Sequence, residues 1–399
     1  MRERPSAGRG STTMKRHGNL FSQIIEYENI VRSHRQARRG KARYQEVQMV
    51  DKTPKVFFDA IQMSLEEQTF RTSPYITKRI FEPKERLIYK LPYYPDRIVH
   101  HAIMNIIQPI WDRIFIYDLY SAIPGKGLHK GSYRLRRFMN DAENTRYCLK
   151  FDIKQYYPSI DHAILLDLIK RKIKCKRTLW VLEEIITSAD GGKNIPIGNY
   201  LSQYFGNIYL NWFDHWIKED LGRDYYLRYC DDGVILGRTK QEVLDLREQI
   251  GQYLTDNLDL TLNRKTAILK VDVVGIDFLG YRHFREYTLL RKSSAQRFKK
   301  KIRYIEDNYR TMPPQKVVSS VMSYYGWLQH CDSYNLQRKY LFENPKILAI
   351  MDLASEDLGI KNPLIKVMED MHSPSTKQKG SAQARHHRHD IYAPEAMLE

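Results

Sequence analysis

Two short apolar runs rich in β-formers, "YYLRYC" (225–230) and "GVILG" (233–237), are separated only by a pair of adjacent carboxylates, Asp231 and Asp232. Such a gap between β-prone runs predicts an antiparallel hairpin. Like charges at its tip repel each other, so the pair makes sense only beside something cationic. A third strand candidate, "RYCLKFDI" (146–153), leads into another carboxylate, Asp152. Helical spacing over 161–174, 178–188, 200–221 and 239–257 fills the chain between and after these strands. The order strand, helices, hairpin, helix predicts an α+β fold with a mainly antiparallel sheet.

Charge narrows the partner. Lys and Arg number 65 against 47 Asp and Glu, a net +18 over 399 residues, and 28 Tyr bring the aromatic content to 12%. A basic surface interleaved with aromatic faces suits phosphates and stacked bases. The four cysteines, Cys148, Cys175, Cys230 and Cys331, lie too far apart for a zinc-ligand spacing or a disulfide framework. No apolar stretch approaches a membrane span or a signal peptide, so a cytoplasmic protein with no membrane partner is expected.

If Asp152 meets the Asp231–Asp232 turn at one sheet edge, three carboxylates converge and need cations. Hard oxygen ligands suit Mg²⁺, with Mn²⁺ as a substitute. Two such ions can activate an attacking 3′-hydroxyl and stabilise leaving pyrophosphate, which is nucleotidyl transfer. On its own, "YCDD" reads equally well as an Asp-rich turn.

Its company decides. "LKFDIKQYYPSID" (149–161), "IPIGNYLSQYFGNIYLN" (195–211), "RYCDDGVIL" (228–236), "LTLNRKTAIL" (260–269) and "FLGYRH" (278–283) resemble motifs A to E of reverse transcriptases, in order, and "KERLI" (84–88) resembles the fingers motif before them. The resemblance implies a right-hand polymerase fold with fingers, palm and an α-helical thumb. It implies Asp152, Asp231 and Asp232 as catalytic carboxylates holding two Mg²⁺, with Ile153 lending a backbone carbonyl. Arg86 and Lys84 would grip the incoming triphosphate. Tyr157 would exclude a ribose 2′-hydroxyl beside Ile197 and Gly198, and Lys265 would protonate the leaving pyrophosphate. The expected domains are a disordered 1–18, fingers and palm over 19–285, a thumb over 286–360, and an extension over 361–399 that is mobile from about 373.

Motif B refines the family. Most reverse transcriptases read close to QGxxxSP there; this chain reads IGxxxSQ, from Ile197 and Gly198 to Ser202 and Gln203. That pattern resembles the enzymes of diversity-generating retroelements, which copy a template-repeat RNA into cDNA and misincorporate opposite adenine. Ile197, Ser202 and Gln203 become candidate fidelity residues, since an apolar side chain cannot replace a positioned amide. The resemblance implies dNTPs, a structured template RNA with its cDNA, and a small basic accessory variability protein as partners. Two alternatives stay open: a domesticated reverse transcriptase of antiphage defence, and a catalytically inactive RNA-binding relative.

Overall fold

The computed structural model describes residues 15–81, 86–189 and 191–372. They fall into two compact units, one ending at Val274 and the other beginning at Gly275.

In the first unit, helix Tyr27–Ala37 packs against Pro54–Glu66 and Ile98–Asp112. Between these last two helices lies an antiparallel hairpin of β1 (Ile76–Ile80) and β2 (Arg86–Lys90). The central sheet holds β3 (Tyr147–Phe151), β4 (Tyr226–Tyr229), β5 (Asp232–Gly237) and β6 (Ala267–Lys270) in the order β4-β5-β3-β6, antiparallel throughout. The three strands expected from sequence are there, and the α+β class holds. The fourth, β6, is a four-residue edge strand ending in an exposed lysine, too short to carry a clear period in the sequence.

Helix Lys240–Leu258 covers the sheet. A capping box between Thr239 and Glu242 starts it, and it buries Val243, Leu246, Ile250, Leu254 and Leu258 along the face that packs on β3, β5 and β6. These residues join one apolar cluster that runs from Leu20 to Leu260.

The second unit opens with a small antiparallel sheet of β7 (Ile276–Phe278), β8 (Tyr281–His283) and β9 (Thr288–Leu290). Helices Lys292–Asn308, Pro314–Leu328 and Pro345–Glu356 follow. "FLGYRH" therefore belongs to this unit. The first of these helices starts at Lys292, with Ser293 and Ser294 inside its first turn.

Of the segment expected to be disordered, residues 1–14 lie outside the described residues, and so does the tail from 373. Residues 15–18 differ from that expectation. The His17 N–H donates to Lys172 and its carbonyl accepts from Lys174, a backbone tie that composition does not reveal. All four cysteines are free thiols. No helix among the described residues is long and apolar enough to cross a membrane.

Candidate active site

β3 pairs with β5 from Tyr147↔Gly237 to Phe151↔Gly233, so Asp152 follows directly where β5 begins. There β4 and β5 close on Tyr229↔Asp232, leaving Cys230 and Asp231 as a two-residue turn. Cys230 takes a left-handed φ of +53°, as tight hairpin turns require at their first central position. Packing dictates Gly233, because a Cβ there would lie 2.1 Å from Cζ of Phe151. The bare glycine lets the Phe151 ring cross β5, stack on Tyr226 and meet Phe213 edge-on. Strand register alone thus delivers the carboxylates to one sheet edge.

The electrostatics follow from that crowding. Burial first, then the charges of Asp232 and Asp152, push Asp231 up to about 7, and a hydrogen bond joins its carboxyl to Asp152. Asp152 Oδ2 also accepts from Asn263 Nδ2 at 2.9 Å, and its carbonyl accepts the Asn263 N–H at 2.7 Å. That second bond and Lys154 N–H to Thr261 O flank the pairing of Ile153 with Leu262. The carbonyl of Ile153 itself therefore faces away from that segment.

A pair of carboxyls that keeps a proton near neutrality gains by exchanging it for a cation. Its all-oxygen donors fit Mg²⁺ or Mn²⁺. Among the described residues, no three His, Cys, Asp or Glu side chains converge as a ready-made ligand set. Asp232 bears on the pair through its charge.

Tyr157 borders the same turn. Burial, then its nearness to Cys230 and Asp231, pushes its phenol well up. Its neighbour Tyr156 is buried and donates its hydroxyl to the Gly206 carbonyl at 2.5 Å. Tyr156 belongs to the core and Tyr157 to the rim of the site.

The motif B loop leans on the β1–β2 hairpin. Tyr89 N–H donates to the Ile197 carbonyl at 2.8 Å, and Ile197 is half-buried. At Gly198, with φ +114°, a Cβ would come within 2.4 Å of the Tyr89 carbonyl oxygen. Ser202 is buried and donates its hydroxyl to the Pro196 carbonyl at 2.6 Å, so it braces the loop, while Gln203 beside it is exposed. Lys265 is exposed on the turn after Asn263, whose Oδ1 accepts its N–H at 3.1 Å. Arg86 opens β2 opposite Ile80. Its side chain, and all of Lys84, lie outside the described residues.

Sequence reasoning missed Asn263 and a polar group beneath the turn. Arg228 and Asp214 are fully buried as an ion pair, with Nε–Oδ1 at 2.7 Å and Nη2–Oδ2 at 2.5 Å. The Tyr226 hydroxyl donates to the same Asp214 Oδ1 at 2.6 Å. An arginine inside "YLRYC" was the available signal, but its partner sits on a helix 14 residues earlier.

The profile of a family described as reverse transcriptase (RNA-dependent DNA polymerase) matches residues 76–283, just over half of the chain. Protein YkfC of Escherichia coli is 26% identical over 259 residues, covering 53% of this chain and 68% of that protein. The group II intron-encoded protein LtrA of Lactococcus lactis is 24% identical over 171 residues, 40% of this chain and 28% of that protein. The chain thus spans about two thirds of the first relative and under a third of the second. Apo telomerase from Candida tropicalis is 10% identical over 72% of this chain and 63% of that one, with a TM-score of 0.44, too loose a likeness to build on.

Proposed function

The chain belongs to the reverse transcriptase (RNA-dependent DNA polymerase) family, and on that premise we propose that it copies a structured RNA into DNA by two-metal-ion nucleotidyl transfer. The observation that carries the chemistry is the strand register that brings Asp152 and the Cys230–Asp231 turn together at one end of the sheet, where crowding pushes Asp231 up. Bound there, with the Ile153 carbonyl as a further donor, two Mg²⁺ would activate the primer 3′-hydroxyl and stabilise the leaving pyrophosphate. The protein's own part is positional. Strand register places the carboxyls, Asn263 holds Asp152 from the neighbouring segment, and Asp231 would release its proton to solvent when a cation takes the proton's place. Tyr157, half-buried beside the same turn, would crowd a ribose 2′-hydroxyl. Arg86 and Lys84 would hold the triphosphate, and Lys265 would supply a proton to pyrophosphate.

The finer reading is an error-prone polymerase of a diversity-generating retroelement, making mutagenised cDNA from a template-repeat RNA. It rests on IGxxxSQ. Ile197 is anchored by its backbone to Tyr89 and offers only an apolar side chain near the nascent pair, while exposed Gln203 is free to face the template. Loss of a positioned polar group weakens discrimination by about 1–3 kcal/mol, roughly 10- to 100-fold in selectivity. The exposed cations Arg35, Arg39 and Arg43, and on helix Lys292–Asn308 Arg297, Lys300 and Arg303, suit RNA phosphates. A small basic accessory protein would complete the assembly.

Sequencing of cDNA made on RNA templates tests this reading. Wild type should misincorporate more opposite adenine than opposite the other bases, and Ile197→Gln should lower that excess. An unchanged adenine error rate in Ile197→Gln would remove Ile197 from the explanation.

A further inference from the structure

A turn whose first central residue has positive φ has alternative geometries close by, so something must select one. Here the selection comes from beneath. The Cys230 N–H donates to Ser121 Oγ at 2.8 Å, and the Cys230 carbonyl accepts from Arg228 Nη1 at 2.6 Å. Both backbone polar groups of the residue before Asp231 are thus held by side chains.

Each of those side chains is itself fixed. Ser121 Oγ donates to Asn207 Oδ1 at 3.2 Å, and Asn207 Nδ2 donates to the Ser121 carbonyl at 2.9 Å. Arg228 is clamped by Asp214 through two bonds and reaches Asn207 Oδ1 at 3.5 Å. The segment that carries Ser121 runs beside β4: Arg228 N–H donates to Asp118 O, and Tyr120 N–H to Arg228 O, both at 3.0 Å. Ser121, Asn207, Asp214 and Arg228 are all buried.

A buried ion pair is a weak source of stability, because desolvation offsets most of the attraction. An apolar pair would fill the space as well. What an apolar pair could not do is hold a carbonyl and an N–H of the turn at fixed positions.

We propose that Arg228, clamped by Asp214, and Ser121, clamped by Asn207, are positioning residues that lock the Cys230–Asp231 turn and so set Asp231 against Asp152. The inference rests on the polymerase reading for its consequence in catalysis, but the lock itself is a property of the turn. Positional error of about 1 Å at a reacting centre can cost on the order of 100-fold.

The test uses the full chain with Ser121→Ala, which removes the acceptor of the Cys230 N–H and leaves the Arg228–Asp214 pair intact. A second variant, Asp214→Leu with Arg228→Met and Tyr226→Phe, replaces the polar group by side chains of similar size. Three readouts are taken: amide hydrogen exchange at Cys230, Mn²⁺ affinity by electron paramagnetic resonance, and kcat and KM for dNTP in primer extension. In Ser121→Ala the Cys230 amide should exchange at least about tenfold faster. Mn²⁺ should bind roughly 5- to 10-fold more weakly, and kcat should fall roughly 10- to 100-fold while KM stays within about twofold. The triple variant should melt at or near the wild-type temperature and still lose kcat. Unchanged Cys230 exchange and Mn²⁺ affinity in Ser121→Ala would overturn the lock. So would losses of kcat in both variants that merely follow their melting temperatures. If wild type itself fails to bind Mn²⁺, the metal reading falls, and Cys230 exchange still decides the lock.

Discussion

The first unit contains two hairpins built in opposite ways. β4 and β5 are buried along almost their whole length, and their turn is held from below by Ser121 and Arg228. β1 is exposed over most of its length; Ile76 and Phe81 are each 70% exposed, and Leu87 on β2 is 39% exposed. That hairpin is tied to the rest through backbone, Tyr89 N–H to Ile197 O, and through Tyr75, whose hydroxyl meets Ser188 at 2.8 Å. The difference separates tasks. The carboxylates proposed to hold metal sit on a locked element, whereas Arg86, proposed to hold the incoming triphosphate, opens a strand of the exposed hairpin. Changes in the first should therefore read out in kcat, and changes in the second in KM.

The largest effect tests the locked hairpin directly. Asp152→Asn removes a carboxylate of the pair and should lower kcat by on the order of 10³-fold or more, measured by single-turnover extension. Gly233→Ala comes next. Its new Cβ would overlap the Phe151 ring at 2.1 Å, costing about 1–3 kcal/mol of stability by overpacking. Asp152, next along the chain from Phe151, would shift with it, and kcat should fall roughly 10- to 100-fold.

Gly198→Ala probes the open hairpin. It forces a side chain into φ +114° and against the Tyr89 carbonyl, at a local cost of about 1–2 kcal/mol. The comparison predicts a rise in KM for dNTP of roughly tenfold with a smaller change in kcat. A fall in kcat with unchanged KM would break it.

The smallest effect concerns pH. Asp231 is pushed up to about 7, well above the ordinary carboxylate range, so folding favours its protonated form. The metal-free protein therefore loses stability as pH rises from about 4 through 7. Asp231→Asn should melt higher than wild type at pH 8 without metal, and the gap should close toward pH 4. Mg²⁺ should raise the wild-type melting temperature by about 2–4 °C more at pH 8 than at pH 6, because no proton then has to be displaced.

Much of this was legible in the residues. The β-prone runs around Asp231 and Asp232, and the run leading into Asp152, become β4, β5 and β3 almost residue for residue. Apolar spacing located helix Lys240–Leu258 because one face of it is buried. What stayed hidden were contacts between segments distant in sequence. Asn263 looks like any loop asparagine until β6 folds beside β3, and it then holds Asp152. Arg228 looks solvent-facing until Asp214 arrives from a helix to clamp it. Ser202, a candidate fidelity residue by its place in motif B, donates its hydroxyl to the Pro196 carbonyl, a contact that spacing alone does not show. Local pattern records which faces are apolar, and it does not record which polar groups find each other across the fold.

On the proposed function, the Asp152–Asp231 pair is the seat of RNA-directed DNA synthesis. Primer extension on an RNA template with dNTPs and Mg²⁺, comparing wild type with Asp231→Asn combined with Asp232→Asn, tests it most directly. Wild type should give extended cDNA and the variant none; equal extension by both would rule the carboxyl pair out as the catalytic centre.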